Sequence, residues 1–166
     1  EERLPTARSL AWANVGLAEV ASRSNQTDAA LKYSVAAIIA DGDYGASLAA
    51  RNLRNKLGIA PVVDSNVKAF FADFDKAAAA NRKADIEALV MPGEITKFVS
   101  GVSGSTEQWQ TQIKHIDRID ANTVLVETNM TIKLLNKNVE TGLAVYRLIK
   151  TTSGWKLSAV DVFEIR

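Results

Sequence analysis

Apolar residues recur at helical spacing through the first half of the chain and alternate through the last third. Between 7 and 23, Leu10, Ala11, Ala13, Val15, Leu17, Ala18 and Ala21 give a broad apolar surface of small residues, the pattern of a helix. A turn at Ser24, Asn25 and Gln26 precedes Thr27, a residue suited to capping a second helix over 28–40, where Ala29, Ala30, Tyr33, Ala36, Ala37 and Ala40 repeat. The DGDYG stretch at 41–45 reads as a turn, and a third helix is expected from about 45 to 57, ended by Gly58. Ile59, Ala60 and Pro61 form a junction, because proline restricts the residue before it. Beyond it, Asp64 or Ser65 can cap a helix whose Val67, Phe70, Phe71, Phe74, Ala77 and Ala78 form one aromatic-rich stripe. Asn81 breaks that run, a shorter helix follows over 83–90, and Met91, Pro92 and Gly93 stop it.

The second half carries a different period. Residues 94–100, EITKFVS, read as a strand. GVSGST is a flexible connection, and Ser105 or Thr106 is placed to cap a short helix through Trp109 to Ile113. Alternation over 113–119, 123–135, 139–150 and 155–165, with turns at 136–138 and 152–154, predicts an antiparallel meander. On the last strand Trp155, Leu157, Ala159, Asp161, Phe163 and Ile165 would share a face, while Val160 and Val162 load the other. The expected fold class is α+β: an α-helical N-terminal segment, 1–60, then an α+β domain, 61–166, ending in the sheet.

Composition narrows function by exclusion. Hydrophobic residues make up 47% and charged residues 23%, enough for an ordinary core. A formal net charge of +1 provides no basic field for nucleic acid. With no cysteine and one histidine, disulfides, thiolate catalysis and the usual zinc sites are excluded, and no cofactor is expected. No apolar run reaches the ~18 residues a membrane helix needs, and the N-terminus lacks the apolar core of a signal peptide. The expectation is a soluble chain, cytoplasmic or exported after processing. GVSGST lacks the lysine and spacing of a phosphate-binding loop.

Two resemblances are carried by particular residues. Trp12, Gly16, Ala29, Tyr33 and Ala36 lie near the signature places of a tetratricopeptide unit, with the Gly16–Ala29 spacing off by about one residue, and DGDYGASLAARNL resembles a repeat boundary. Three alanine-rich helices packed locally are the plainer reading of the same segment. Residues 64–166 resemble the nuclear transport factor 2-like superfamily, which includes SnoaL-like proteins. The matching features are the FFADFDKAAAANRKADIEALV helix pair, the ANTVLVE strand and the closing GLAVYRLIKTTSGWKLSAVDVFEI hairpin with Gly154, Trp155, Lys156 and Leu157. That resemblance implies a cone, a strongly bent sheet wrapped around helices with a cavity between them. It also implies isomerases, cyclases, dehydratases, ligand-binding modules and dimers formed through the outer sheet surface.

Within that frame the leading expectation is a non-enzymatic module that binds a small hydrophobic ligand or associates with another chain. The alternatives are a cofactor-independent isomerase, cyclase or dehydratase, and a structural dimerisation domain of a helical-repeat protein. Catalysis would fall to Asp161, set among apolar neighbours, or to His115 and Asp117, two apart on one strand and so on one face. A solvated polar strand face is the alternative for the latter pair, given Lys114, Arg118 and Asp120 beside it. Tyr146, Trp109 and Phe74 are the candidate ligand contacts, against simple core packing. Expected partners are the small ligand, a second copy through the sheet, and a protein met by the N-terminal helices.

Overall fold

The computed structural model describes residues 3–40, 44–61, 64–93 and 95–166. The chain divides into two compact units, Glu1–Ala60 and Pro61–Arg166. The turn expected at 41–45 falls largely on 41–43, which lie outside the described residues.

The first unit holds α1 (Arg3–Arg23), α2 (Thr27–Ala40) and α3 (Tyr44–Lys56), each in contact with the other two. Its buried residues are mostly small, among them Ala11, Ala18, Ala30 and Ala37, so the helix backbones can approach closely. Asn25 (φ 57°) turns the chain between α1 and α2, and Gly58 (φ 67°) sits just past α3 in the left-handed conformation that ends helices.

The second unit runs α4 (Ser65–Ala79), α5 (Lys83–Ala88), α6 (Ile95–Val102), β1 (Thr106–Arg118), β2 (Thr123–Leu134), β3 (Val139–Thr151) and β4 (Gly154–Ile165). The strands form one antiparallel meander in the order β1-β2-β3-β4. The α4 stripe of Val67, Phe70, Phe71, Phe74, Ala77 and Ala78 packs with Trp109, Val124, Val126, Met130, Ile132, Tyr146, Leu148 and Leu157 as one core. Ring contacts knit that core: Phe71 to Tyr146 (5.3 Å), Phe74 to Trp109 (6.2 Å) and Phe98 to Trp109 (6.1 Å). The end of α5 is tied to β4 by Met91 N–H to Leu157 O and Leu157 N–H to Leu89 O, both 2.8 Å.

Asn81 joins the end of α4 to the start of β1. Its φ of 54° turns the chain, its Oδ1 accepts from Gly104 N–H and Thr106 N–H (3.0 Å each), and its Nδ2 donates to Thr106 O (2.7 Å).

Four expectations are corrected. The sheet is open and is not a cone: β1 and β4 are its two edges. The central β2–β3 ladder runs from Thr123↔Ile149 to Lys133↔Val139 without an irregularity, so nothing in it provides the sharp bend that a cone requires. Second, the segment read as a strand over 94–100 is helical from Ile95, because Ile95, Phe98, Val99 and Val102 recur at i, i+3, i+4 and i+7; Glu94 lies outside the described residues. Third, the expected helix from 105 or 106 to 113 is the first half of β1. There Trp109, Thr111 and Ile113 alternate with Gln108, Gln110 and Gln112, and pairing with β2 prevails over the capping signal at Ser105 and Thr106. Fourth, the one face expected to be shared by Trp155, Leu157, Ala159, Asp161, Phe163 and Ile165 on β4 is broken by register shifts at Val145/Tyr146 and Arg147/Leu148. Ala144↔Phe163, Tyr146↔Val160 and Leu148↔Leu157 therefore share the core side, while Val162 and Ala159 fall on the other.

Candidate functional site

The site begins with how α4 is anchored. Asp64 is its N-cap, its Oδ1 accepting from Asn66 N–H (2.9 Å) and Val67 N–H (3.0 Å). From that cap, Lys68, Phe71, Ala72 and Asp75 follow at helical spacing along the flank of α4 beside β1. β1 is an edge strand, so alternate N–H groups on it point away from β2 and need another acceptor. Asp75 is that acceptor at Thr111: Oδ2 receives Thr111 N–H (2.8 Å) and Oδ1 receives Thr111 Oγ1–H (2.6 Å).

A cavity of about 370 Å³ opens between these elements, bounded by Pro61, Asp64, Lys68, Phe71, Ala72, Asp75, Thr111, Gln112 and Ile113. Its volume lies in the range of small-molecule sites, and its walls are mainly apolar with a few polar groups. Other hollows of similar volume, by Asp73 and Trp155 or by Gln112 and Arg166, are more open to solvent.

Burial pushes the Asp75 carboxyl up to about 6, and the two hydrogen bonds from Thr111 only partly offset that rise. Tyr146, on β3, is completely buried against Phe71, and its hydroxyl has no hydrogen-bond partner. Burial, and secondarily the charge of Asp75, push its phenol upward, so it stays protonated as a donor.

The residues singled out from sequence are distributed over the two faces of the sheet. Phe74, Trp109 and Tyr146 lie in the packed aromatic core, and Trp109 stacks on Phe163 at 6.3 Å with its indole N–H unpartnered. The register shift between Ile113 and His115 puts His115 and Asp117 on the face opposite Ile113 and Ile116. Both are buried, and His115 stands directly across from the buried Glu127. Asp161 is held by Arg147, with Nη2 at 2.8 Å and Nε at 3.5 Å from its oxygens. None of these six lines the α4–β1 cavity.

Asp75 was not singled out from sequence. Its signal was a lone carboxylate on the border of the α4 apolar stripe, but its partner Thr111 fell in a stretch that reads as a helix. Among the described residues no group of three or more His, Asp or Glu could hold a metal ion, and no helix is long and apolar enough to cross a membrane.

No family model matches the sequence, and no curated protein matches it. Several solved structures are similar, two of them over more than half of this chain. One is a domain of unknown function with a cystatin-like fold from Nostoc punctiforme, at 15% identity and a TM-score of 0.44 over 60% of this chain and 76% of that one. The other, from Streptomyces avermitilis, is described as a dehydratase of the NTF2-like family, at 18% identity and a TM-score of 0.42 over 58% of this chain and 95% of that one. Similarity at this level carries no argument about what the chain does.

Proposed function

We propose that the unit Pro61–Arg166 is a small-molecule-binding module whose site is the cavity between α4 and β1. The observation that carries this reading is Asp75, a partly desolvated carboxyl set among Phe71, Pro61 and Ile113 and oriented by Thr111. An apolar cavity with one fixed polar anchor is the ordinary design of a small-ligand site. A simple apolar alcohol such as cyclohexylmethanol is the probe. Saturation-transfer NMR on the full chain should detect its binding, and Ala72→Phe, which fills the cavity from an exposed position on α4, should abolish it without lowering the unfolding midpoint. Unchanged binding in that variant would contradict the assignment.

A second reading is proton transfer by a cofactor-independent isomerase, cyclase or dehydratase. It is favoured by one observation, a carboxyl held at about 6 beside an apolar cavity, which suits a base working near neutrality. Asp75, rather than Asp161 or the His115 and Asp117 pair, is the base that this reading would use. For the helices of residues 1–60, the tetratricopeptide-like and protein-facing role remains part of the proposal, supported by the exposure of Leu10, Trp12, Leu17 and Val20 on α1.

A further inference from the structure

We propose that the ligand of this cavity is a compact apolar molecule carrying a protonated amine, which pairs with Asp75. The inference rests on the small-molecule reading above and names the chemical class.

Asp75 accepts only from Thr111, and no Lys or Arg among the described residues pairs with it. On α4, Asp64 is committed to the helix cap, and Lys68 lies seven residues away, ~10 Å along the helix axis. β1 contributes Thr111, Gln112 and Ile113, none of them charged. From β3 comes Tyr146, a neutral phenol. At neutral pH the carboxylate is therefore ionised, partly withdrawn from water and without a counter-charge, which is a costly arrangement. An ammonium entering the cavity relieves that cost directly. Phe71 adds an aromatic wall to the same cavity, and such a ring attracts a desolvated cation. An alcohol gains only a hydrogen bond there. A carboxylic acid meets like charge at both Asp64 and Asp75, with Lys68 alone in its favour.

The test is a matched series: cyclohexylmethylamine, cyclohexylmethanol and cyclohexanecarboxylate, titrated calorimetrically into the full chain at pH 7.5. The amine should bind on the order of tenfold more tightly than the alcohol, and the acid more weakly than either. Asp75→Asn should bring the amine down to the alcohol's level. In the wild type the amine's affinity should fall as the pH is lowered through about 6, where the carboxyl takes a proton, while the alcohol's does not. If the alcohol binds as tightly as the amine, the ammonium class is overturned and the cavity reading stands. If neither binds, the cavity reading falls and the inference with it. An amine preference that survives Asp75→Asn overturns the inference, because the cation then sits elsewhere.

Discussion

Replacing Asp75 by Asn should change how stability depends on pH. The native carboxyl is pushed up to about 6, against about 4 in an unfolded chain. Between those values the folded protein binds more protons than the unfolded one, so stability must fall as pH rises. The contribution of the neutral acid is complete below pH ~4 and is lost by the time pH has passed through about 6. A difference of about two units corresponds to at most ~3 kcal/mol. Asp75 is partly exposed, and solvent screening reduces the expectation to ~1–2 kcal/mol. Asn keeps an oxygen to accept Thr111 N–H and a group to meet Thr111 Oγ1, but it carries no charge at any pH. Urea unfolding of the full chain at pH 4 to 8, followed through the Trp109 indole resonance, reads the second unit directly. The variant should gain ~1–2 kcal/mol on the wild type across pH 4–7. Parallel pH profiles would refute the claim that Asp75 is held desolvated in this fold.

Three further substitutions test the scaffold around the site. A Cβ at Gly142 would collide with the Glu164 carbonyl and lie 2.9 Å from Met130 Cε, so Gly142→Ala should cost ~2 kcal/mol or more in urea unfolding, and a neutral result would contradict the β3–β4 approach. Asn81→Gly keeps the left-handed turn but removes three hydrogen bonds to Gly104 and Thr106; a loss of ~1–3 kcal/mol is expected, with increased amide exchange at the start of β1. Tyr146→Phe deletes an unpartnered buried hydroxyl and should leave stability unchanged or raise it by up to ~1 kcal/mol, whereas a clear loss would mean that the hydroxyl is hydrogen-bonded.

What the sequence disclosed followed from how locally each feature is encoded. The α4 stripe is legible because six apolar residues at helical spacing leave one solution, and a capping residue, Asp64 or Ser65, stands just before it; in the structure Asp64 takes that place. β2 and β3 are legible because both are rich in β-branched and other apolar residues and are separated by a turn at 136–138. The first half of β1 is not, since Thr106–Ile113 is rich in glutamine and its strand identity comes from pairing with β2, where Trp109 meets Ile132 and Ile113 meets Thr128. α6 was missed for the opposite reason: Ile95, Thr96 and Val99 favour strands, while the spacing of the apolar positions favours a helix. The bulges that place His115 and Asp117 away from α4, and Asp161 beside Arg147, leave no local mark in the sequence. Asp75 is hidden for the same reason as β1, because its meaning depends on the edge-strand N–H of Thr111.

The central claim is that the α4–β1 cavity takes up small molecules, and methyl NMR tests it most directly. Ala72 and Ile113 line the cavity from opposite sides, whereas Ile132 and Leu148 lie in the packed core away from it. On titration with cyclohexylmethylamine at pH 7.5, the Ala72 and Ile113 methyl resonances should shift together and saturate, while those of Ile132 and Leu148 stay in place. Saturable shifts confined to other methyls, or none at all, would contradict the account.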